Sequence, residues 1–260
     1  MEKKIGIIGL GKMGLAIGKN LARHGYEVFG YDPVEVKPGK TFHIMGGLDE
    51  LFERDIPLIV AVKPGQVEGV VERIPDKRLV ISIAAGLSTK KIKSFRFADG
   101  PTIRVMPNTP FLINEGISAL FACPDTGDED KAFALEIFQC GGEAFYIANE
   151  DMMHAITGLS GSGPAFAELF IQAMEDAGVL MGLPREMARA LAAQTTAGAA
   201  RLVQKSGRSP QELIYDVTSP GGTTITGIAT LKDFSFERAV IRAVKKAAEK
   251  SRLLSGESHA

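Results

Sequence analysis

The sequence predicts an α/β fold, a doubly wound parallel sheet followed by an all-α half, and three observations predict it. An apolar run, Ile5-Gly6-Ile7-Ile8, leads through Gly9-Leu10-Gly11-Lys12-Met13-Gly14 into a helical stripe of Leu15, Ile17, Leu21 and Ala22. Short apolar, β-branched runs then alternate with helical segments as far as Ile147, the pattern of strands joined by crossover helices. From Met152 to Leu254 no strand pattern remains.

Composition bounds what this fold can do. A chain of 260 residues with 45% apolar and 23% charged residues is ordinary for a globular protein and long enough for two domains. A net charge of −1 provides no basic field, which argues against nucleic acid as a partner. The start, Met1-Glu2-Lys3-Lys4 and then apolar residues, superficially has the layout of a secretory leader. Glycines, Lys12 and Lys19 interrupt it and no small-residue cleavage site follows, so no leader is expected. No apolar run approaches membrane-spanning length. Cys123 and Cys140 have neither metal-like spacing nor a disulfide framework, and a reduced, cytoplasmic setting is expected. His24, His43, His154 and His259 form no metal-binding cluster, so no metal is expected.

The glycine loop is the first element with chemistry. Between a strand and a helix, the first glycine permits a tight turn and the second lets backbone approach a pyrophosphate. The third lets the helix pack close to the strand, its N-terminal N–H groups and dipole aimed at the anion. Gly9, Leu10, Gly11, Lys12, Met13 and Gly14 are therefore candidate dinucleotide ligands in a Rossmann-type domain. Residues 26–32 form the second strand, and Asp32 at its end lies about twenty residues beyond the loop, where an acid accepts from the adenine-ribose hydroxyls and repels a 2′-phosphate. A plain turn aspartate before Pro33 is the simpler reading. Lys37 and Lys40, just downstream, offer a 2′-phosphate an alternative partner.

Further strands are expected at 57–62, 78–83, 102–106, 116–122 and 143–147, with helices at 48–54 and 128–140. Ligands of a doubly wound sheet sit beyond the carboxyl ends of its strands. Those ends carry Val62-Lys63-Pro64, Ala84-Ala85-Gly86 and Pro107-Asn108, small residues and prolines that leave room for a flat ring, or simply make tight loops. Helices are expected at 151–158, 164–182, 185–205, 209–216, 222–232 and 235–254, with Pro184 and Pro210 placed to open two of them. The domain boundary is placed at 150, giving a dinucleotide-binding domain over 1–150 and a helical dimerisation and substrate domain over 151–260. The small residues from Ala190 to Ala200 permit close helix packing, and long apolar helices offer surface to a partner, so a homodimer through this half is expected.

In the helical half, Gly221-Gly222-Thr223-Thr224 stands at the start of a helix. Its backbone N–H groups can bind a carboxylate, the two glycines allow close approach, and the threonines add hydroxyls. A helix capped by Ser219 or Thr218 is an equally sound reading.

Taken together, several segments resemble the pyrroline-5-carboxylate reductase family nearly end to end. They are Ala61-Val62-Lys63-Pro64, Ser82-Ile83-Ala84-Ala85-Gly86, Arg104-Val105-Met106-Pro107-Asn108-Thr109-Pro110, Leu159-Ser160-Gly161-Ser162-Gly163-Pro164-Ala165, Asp176-Ala177-Gly178, Met181-Gly182-Leu183-Pro184-Arg185 and, most specifically, Thr218-Ser219-Pro220-Gly221-Gly222-Thr223-Thr224. The resemblance implies hydride transfer from NAD(P)H to the C=N carbon of 1-pyrroline-5-carboxylate, giving L-proline. It implies a substrate site near a dimer interface, and dimers that assemble further, as a decamer of five. It also implies that Ser219, Gly221, Gly222, Thr223 and Thr224 hold substrate, with Thr224 at the imine nitrogen. Ser160 and Gly163 would shape the pocket, and Glu150 would lie near substrate.

Two departures stand out. Relatives carry a small polar residue and an arginine after the second strand where this chain has Asp32-Pro33, which favours NADH against the NADPH habit of the family. His154 replaces an acid, with no role assigned. The rival enzyme class, β-hydroxyacid dehydrogenases, shares the glycine loop, Asn20-Leu21 and Asp32, but uses a lysine on the helix after the second glycine motif, and Leu159–Pro184 contains none. A non-catalytic nucleotide-binding protein is the other alternative, disfavoured by the intact substrate segments.

Overall fold

A computed structural model of the chain describes residues 2–36 and 42–256. The elements run β1 (Lys4–Ile8), α1 (Lys12–Arg23), β2 (Glu27–Tyr31), β3 (His43–Ile44), α2 (Leu48–Phe52), β4 (Leu58–Val60), α3 (Val67–Val71), β5 (Val80–Ser82), α4 (Thr89–Ser94), β6 (Thr102–Met106), β7 (Gly116–Ala122), α5 (Asp128–Gln139) and β8 (Gly142–Tyr146). The strands form one sheet in the order β3-β2-β1-β4-β5-β6-β7-β8. Every neighbouring pair is parallel except β6 and β7, so the expected doubly wound sheet carries one reversal. The stretch from Pro107 to Glu115 is too short for a crossover, and a one-turn 3-10 segment at Thr109–Ile113 doubles the chain back instead. The two-residue β3 carried no readable alternation and was not expected from the sequence.

Each face of the sheet has its own core. Ile5, Ile7, Ile59, Ile81, Ile103 and Val105 pack with Ile17 and Leu21 of α1 and with Phe133, Ile137 and Phe138 of α5. Ile8, Leu58, Val60 and Val80 point the other way, against Leu51 of α2, Val67 and Val71 of α3 and Ile92 of α4. This two-sided burial is why the central strands read as continuous apolar runs. Each such side chain contributes roughly 1.5–3 kcal/mol by leaving water. Both cysteines are free thiols; Cys123 is buried, its thiol pushed up by burial, and it accepts the Thr102 N–H at 3.2 Å.

The helical part runs α6 (Met152–Ile156), a π-helical turn (Thr157–Gly161), α7 (Gly163–Leu180), α8 (Arg185–Ser206), α9 (Pro210–Asp216), α10 (Thr223–Asp233) and α11 (Phe236–Ser255). The sequence change at 150 coincides with the end of the sheet, but the compact units divide elsewhere. One comprises 1–162 with 245–260, the other 163–244. The first unit keeps α6 because Met153 is fully buried against Ala119 and Ile147. It includes the end of α11, where Ser251 Oγ lies 3.0 Å from Nδ1 of the buried His154. That contact gives His154 a structural place.

In the second unit, α7 and α8 form a hairpin tied by Glu175, which accepts from Arg185 at 2.8 Å and Arg189 at 2.9 Å. These two guanidinium groups hold the Glu175 carboxyl below its usual range. The unit leaves much of its apolar surface open. Leu169 is 66% exposed, Leu180 86% and Ile241 67%. Among the described residues no helix is long and apolar enough to cross a membrane.

Candidate functional site

The loop after β1 uses its three glycines in three different ways. Gly9 has φ +95° and a Cβ there would lie 2.8 Å from the Ala61 backbone, so both conformation and space demand glycine. At Gly14 a Cβ would run into the Gly9 carbonyl oxygen, so this glycine lets α1 lie against its own strand. Gly11 differs, since a Cβ there would meet nothing of the protein within 4 Å. Its backbone is extended, at φ −68° and ψ −168°, and it stands at the N-cap of α1 with no side-chain cap. The fold itself does not require glycine at Gly11, so the space beside its backbone is open. The cradle, its uncapped helix start and the acid described next fit a dinucleotide pyrophosphate and ribose.

Asp32 closes the loop from the end of β2. Its Oδ2 accepts the Leu10 N–H at 2.7 Å, and its Oδ1 accepts the Val34 N–H at 2.9 Å. One oxygen thus serves the turn after β2 and the other the glycine loop. Lys37 and Lys40 lie outside the described residues.

The other strand ends line up beside this loop because the sheet order places β4, β5 and β6 successively next to β1. Val62 and Lys63 lead into a 3-10 turn opened by Pro64, with Lys63 exposed. Ala84 is buried and donates its N–H to Ser82 Oγ at 3.3 Å, while Ala85 precedes Gly86, which turns at φ +77°. Asn108 follows Pro107, and its Oδ1 accepts the Ile117 N–H at 3.0 Å, fixing the reversal into β7. Asn20, 1% exposed, donates from Nδ2 to the Phe111 carbonyl at 3.0 Å and ties α1 to that same reversal. A polar residue on the inner stripe of an amphipathic helix was the available signal for Asn20.

Ser160 and Ser162 do not lie in a loop before a helix. They belong to the π-helical turn and the residue after it, which bring this stretch against the end of β6. A Cβ on Gly161 would lie 2.5 Å from the Met106 methyl. Ala85, Gly86, Thr157 and Ser162 thereby share one cavity of about 260 Å³ with Lys250, Ser251 and Leu254 of α11. Nothing in the local pattern near residue 250 announced that the last helix would line this cavity.

Glu150, expected near substrate, is held by two other segments. Its Oε1 accepts the Thr89 N–H at 2.7 Å and Arg104 Nη1 at 3.1 Å, and its Oε2 accepts the Thr89 hydroxyl at 2.8 Å. Arg104 is 3% exposed. Removing one member of so buried an ion pair typically costs roughly 3–5 kcal/mol.

In the second unit, Gly163 opens α7 and Ser219, Gly221, Gly222, Thr223 and Thr224 surround the start of α10. Gly221 turns at φ +71°, Gly222 is the N-cap, and no side chain caps the helix. Thr218 donates backwards to the Ile214 carbonyl at 2.5 Å. The capped-helix reading is thus not what forms: the helix start presents backbone N–H groups with exposed Thr223 and Thr224 beside them. A Cβ on Gly222 would run into Ser219 Oγ, so that glycine is also needed by its own turn.

Known proteins match this arrangement over the whole chain. Residues 150–254 match the family model described as pyrroline-5-carboxylate reductase dimerisation, and residues 4–86 that described as NADP oxidoreductase coenzyme F420-dependent. The chain is 40% identical to the pyrroline-5-carboxylate reductase of Escherichia coli (strain K12), covering 98% of this chain and 99% of that one. It is 39% identical to that of Methanosarcina acetivorans, covering 97% and 98%. The crystal structure of Plasmodium falciparum pyrroline carboxylate reductase with NADP bound is similar at 34% identity and a TM-score of 0.89, covering 97% of this chain and 98% of that one. With identity sustained from the glycine loop to the last helix, the chain belongs to the pyrroline-5-carboxylate reductase family.

Proposed function

We propose that this chain reduces 1-pyrroline-5-carboxylate to L-proline with a reduced nicotinamide dinucleotide. The observation that carries the reading is the uncapped start of α10 behind Gly221, in a chain whose first unit holds a dinucleotide cradle at Gly11. When bound, NAD(P)H would supply a hydride to the carbon of the protonated imine, whose nitrogen keeps the proton it arrives with. No protein nucleophile is needed, so the protein's task is placement and charge.

Residues Gly9 to Gly14 hold the pyrophosphate and Asp32 the adenine ribose. Val62 to Pro64, Ala84 to Gly86, Pro107 and Asn108 line the remainder of the cofactor. The N–H groups of Gly221 to Thr224, with Ser219 shaping the turn, take the substrate carboxylate. Ser160 and Gly163 border the pocket. Thr224 hydrogen-bonds the imine nitrogen; a threonine hydroxyl is too weak an acid to deliver the proton, so it orients an iminium that binds already protonated. Asp32 favours NADH over NADPH. Residues 1–150 thus carry the nucleotide, and 151–260 carry substrate and the dimer contact, with the dimers assembling by fives in the cytoplasm.

The test is direct. Purified protein with 1-pyrroline-5-carboxylate and each reduced nucleotide should form proline stoichiometrically with nucleotide oxidation. Absence of proline with both nucleotides overturns the assignment.

A further inference from the structure

We propose that Glu150 is a positioning residue for the nicotinamide end of the nucleotide site and does not contact the imine. The inference rests on the nucleotide site described above. The carboxylate already accepts three hydrogen bonds, from the Thr89 N–H at 2.7 Å, the Thr89 hydroxyl at 2.8 Å and Arg104 Nη1 at 3.1 Å. An ionised carboxylate has about four acceptor sites, so little is left for a substrate nitrogen.

Its partners root two cofactor loops. Thr89 is the first residue of α4, three positions after Gly86, and Ser88 caps that helix by accepting the Lys91 N–H. Arg104 lies on β6 directly opposite Ser82 of β5 and two positions before Met106, which leads into Pro107-Asn108. Glu150 reaches both from a third segment, between β8 and α6. One carboxylate therefore sets the spacing between the Ala84–Gly86 loop and the Pro107–Asn108 loop. Arg104 supplies the second reason: a guanidinium 3% exposed within the sheet needs a fixed counter-charge, and Glu150 provides it. The Gly9–Gly14 loop and Asp32 share no bond with this cluster among those described. Loss of Glu150 should loosen the nicotinamide end and spare the adenine end.

Calorimetric titration of the full-length protein tests this. The probes are NADH, NADPH, ADP-ribose and its 2′-phosphate, the last two lacking the nicotinamide ring. Glu150→Gln should weaken binding of the reduced nucleotides about tenfold or more, the scale expected when a positioning group is displaced. It should leave the two ring-less probes within about twofold and leave the imine KM at saturating nucleotide unchanged. Thr89→Val, which cannot donate from its side chain, should reproduce the effect, and Thr89→Ser should restore wild-type affinity. Two results overturn the proposal. One is unchanged nucleotide affinity with a raised imine KM, which would make Glu150 a substrate ligand. The other is equal weakening of all four probes, which would mean general loosening. If Glu150→Gln lowers the melting temperature too far for titration, the Thr89 pair decides alone. Nucleotide titration needs no imine, so failure of proline formation in the wild type is a separate result.

Discussion

Asp32 Oδ2 accepts the Leu10 N–H at 2.7 Å, so the residue proposed to meet the adenine ribose also holds the glycine loop in shape. Its other oxygen is bound to the Val34 N–H. A carboxylate held at both oxygens does not swing aside for a phosphate. The expected outcome is a higher kcat/KM with NADH than with NADPH. Asp32→Ser should erase that preference or reverse it, by about tenfold, or about 1.4 kcal/mol, measured as the ratio of the two kcat/KM values. A wild-type preference for NADPH would contradict the assigned role.

Gly11 and Gly14 should respond oppositely to the same substitution. Gly14→Ala forces a methyl into the Gly9 carbonyl and should destabilise the fold by about 1–3 kcal/mol or more. Gly11→Ala meets only open space, so unfolding should change by less than about 0.5 kcal/mol while nucleotide affinity falls. Denaturant unfolding and nucleotide titration on both variants separate the two roles.

Thr224→Ala should lower turnover about tenfold or more and leave nucleotide affinity unchanged, as loss of an orienting hydrogen bond predicts. The hydroxyl is exposed in this chain and its loss should not register in thermal unfolding. Gly222→Val is the poorer probe, because it would collide with Ser219 Oγ before any substrate arrives.

The apolar groove of α7 and α11, lined by Phe166, Leu169, Phe170, Phe236 and Val240, fits burial by a second copy. Leu169→Glu should shift sedimentation from dimer toward monomer and lower activity with it, since a charge buried without a partner costs several kcal/mol.

Glu175 gives a pH-dependent contribution to the α7–α8 hairpin. Arg189 and Arg185 depress its carboxyl below the ordinary 4.5, so its stabilising effect is full above that value and is lost as pH falls through the folded-state value. Glu175→Gln should melt below wild type at pH 7, and the gap should close in acid.

The strands, the long helices and the starts of α1 and α10 were legible in the sequence because each rests on local chemistry. Buried parallel strands read as apolar runs, helices opened by Pro184 and Pro210 announce their own starts, and glycines mark where backbone must turn or approach. The loops at the strand ends followed from the same chemistry, and the family was legible because its segments stand in the chain as short motifs.

What only the tertiary structure decided concerns residues whose partners are far away in sequence. The reversal of β7 depended on the Asn108–Ile117 bond and a short connection, not on any difference in strand composition. Asn20 acquired its purpose from Phe111, 91 residues away, and His154 from Ser251, 97 residues away. Glu150 was placed near substrate by resemblance alone, and only β6 and α4 bring Arg104 and Thr89 to it, 46 and 61 residues distant. The physical reason is that a local pattern specifies how the backbone runs, whereas a buried charge or amide is given its role by whichever donor the fold delivers to it.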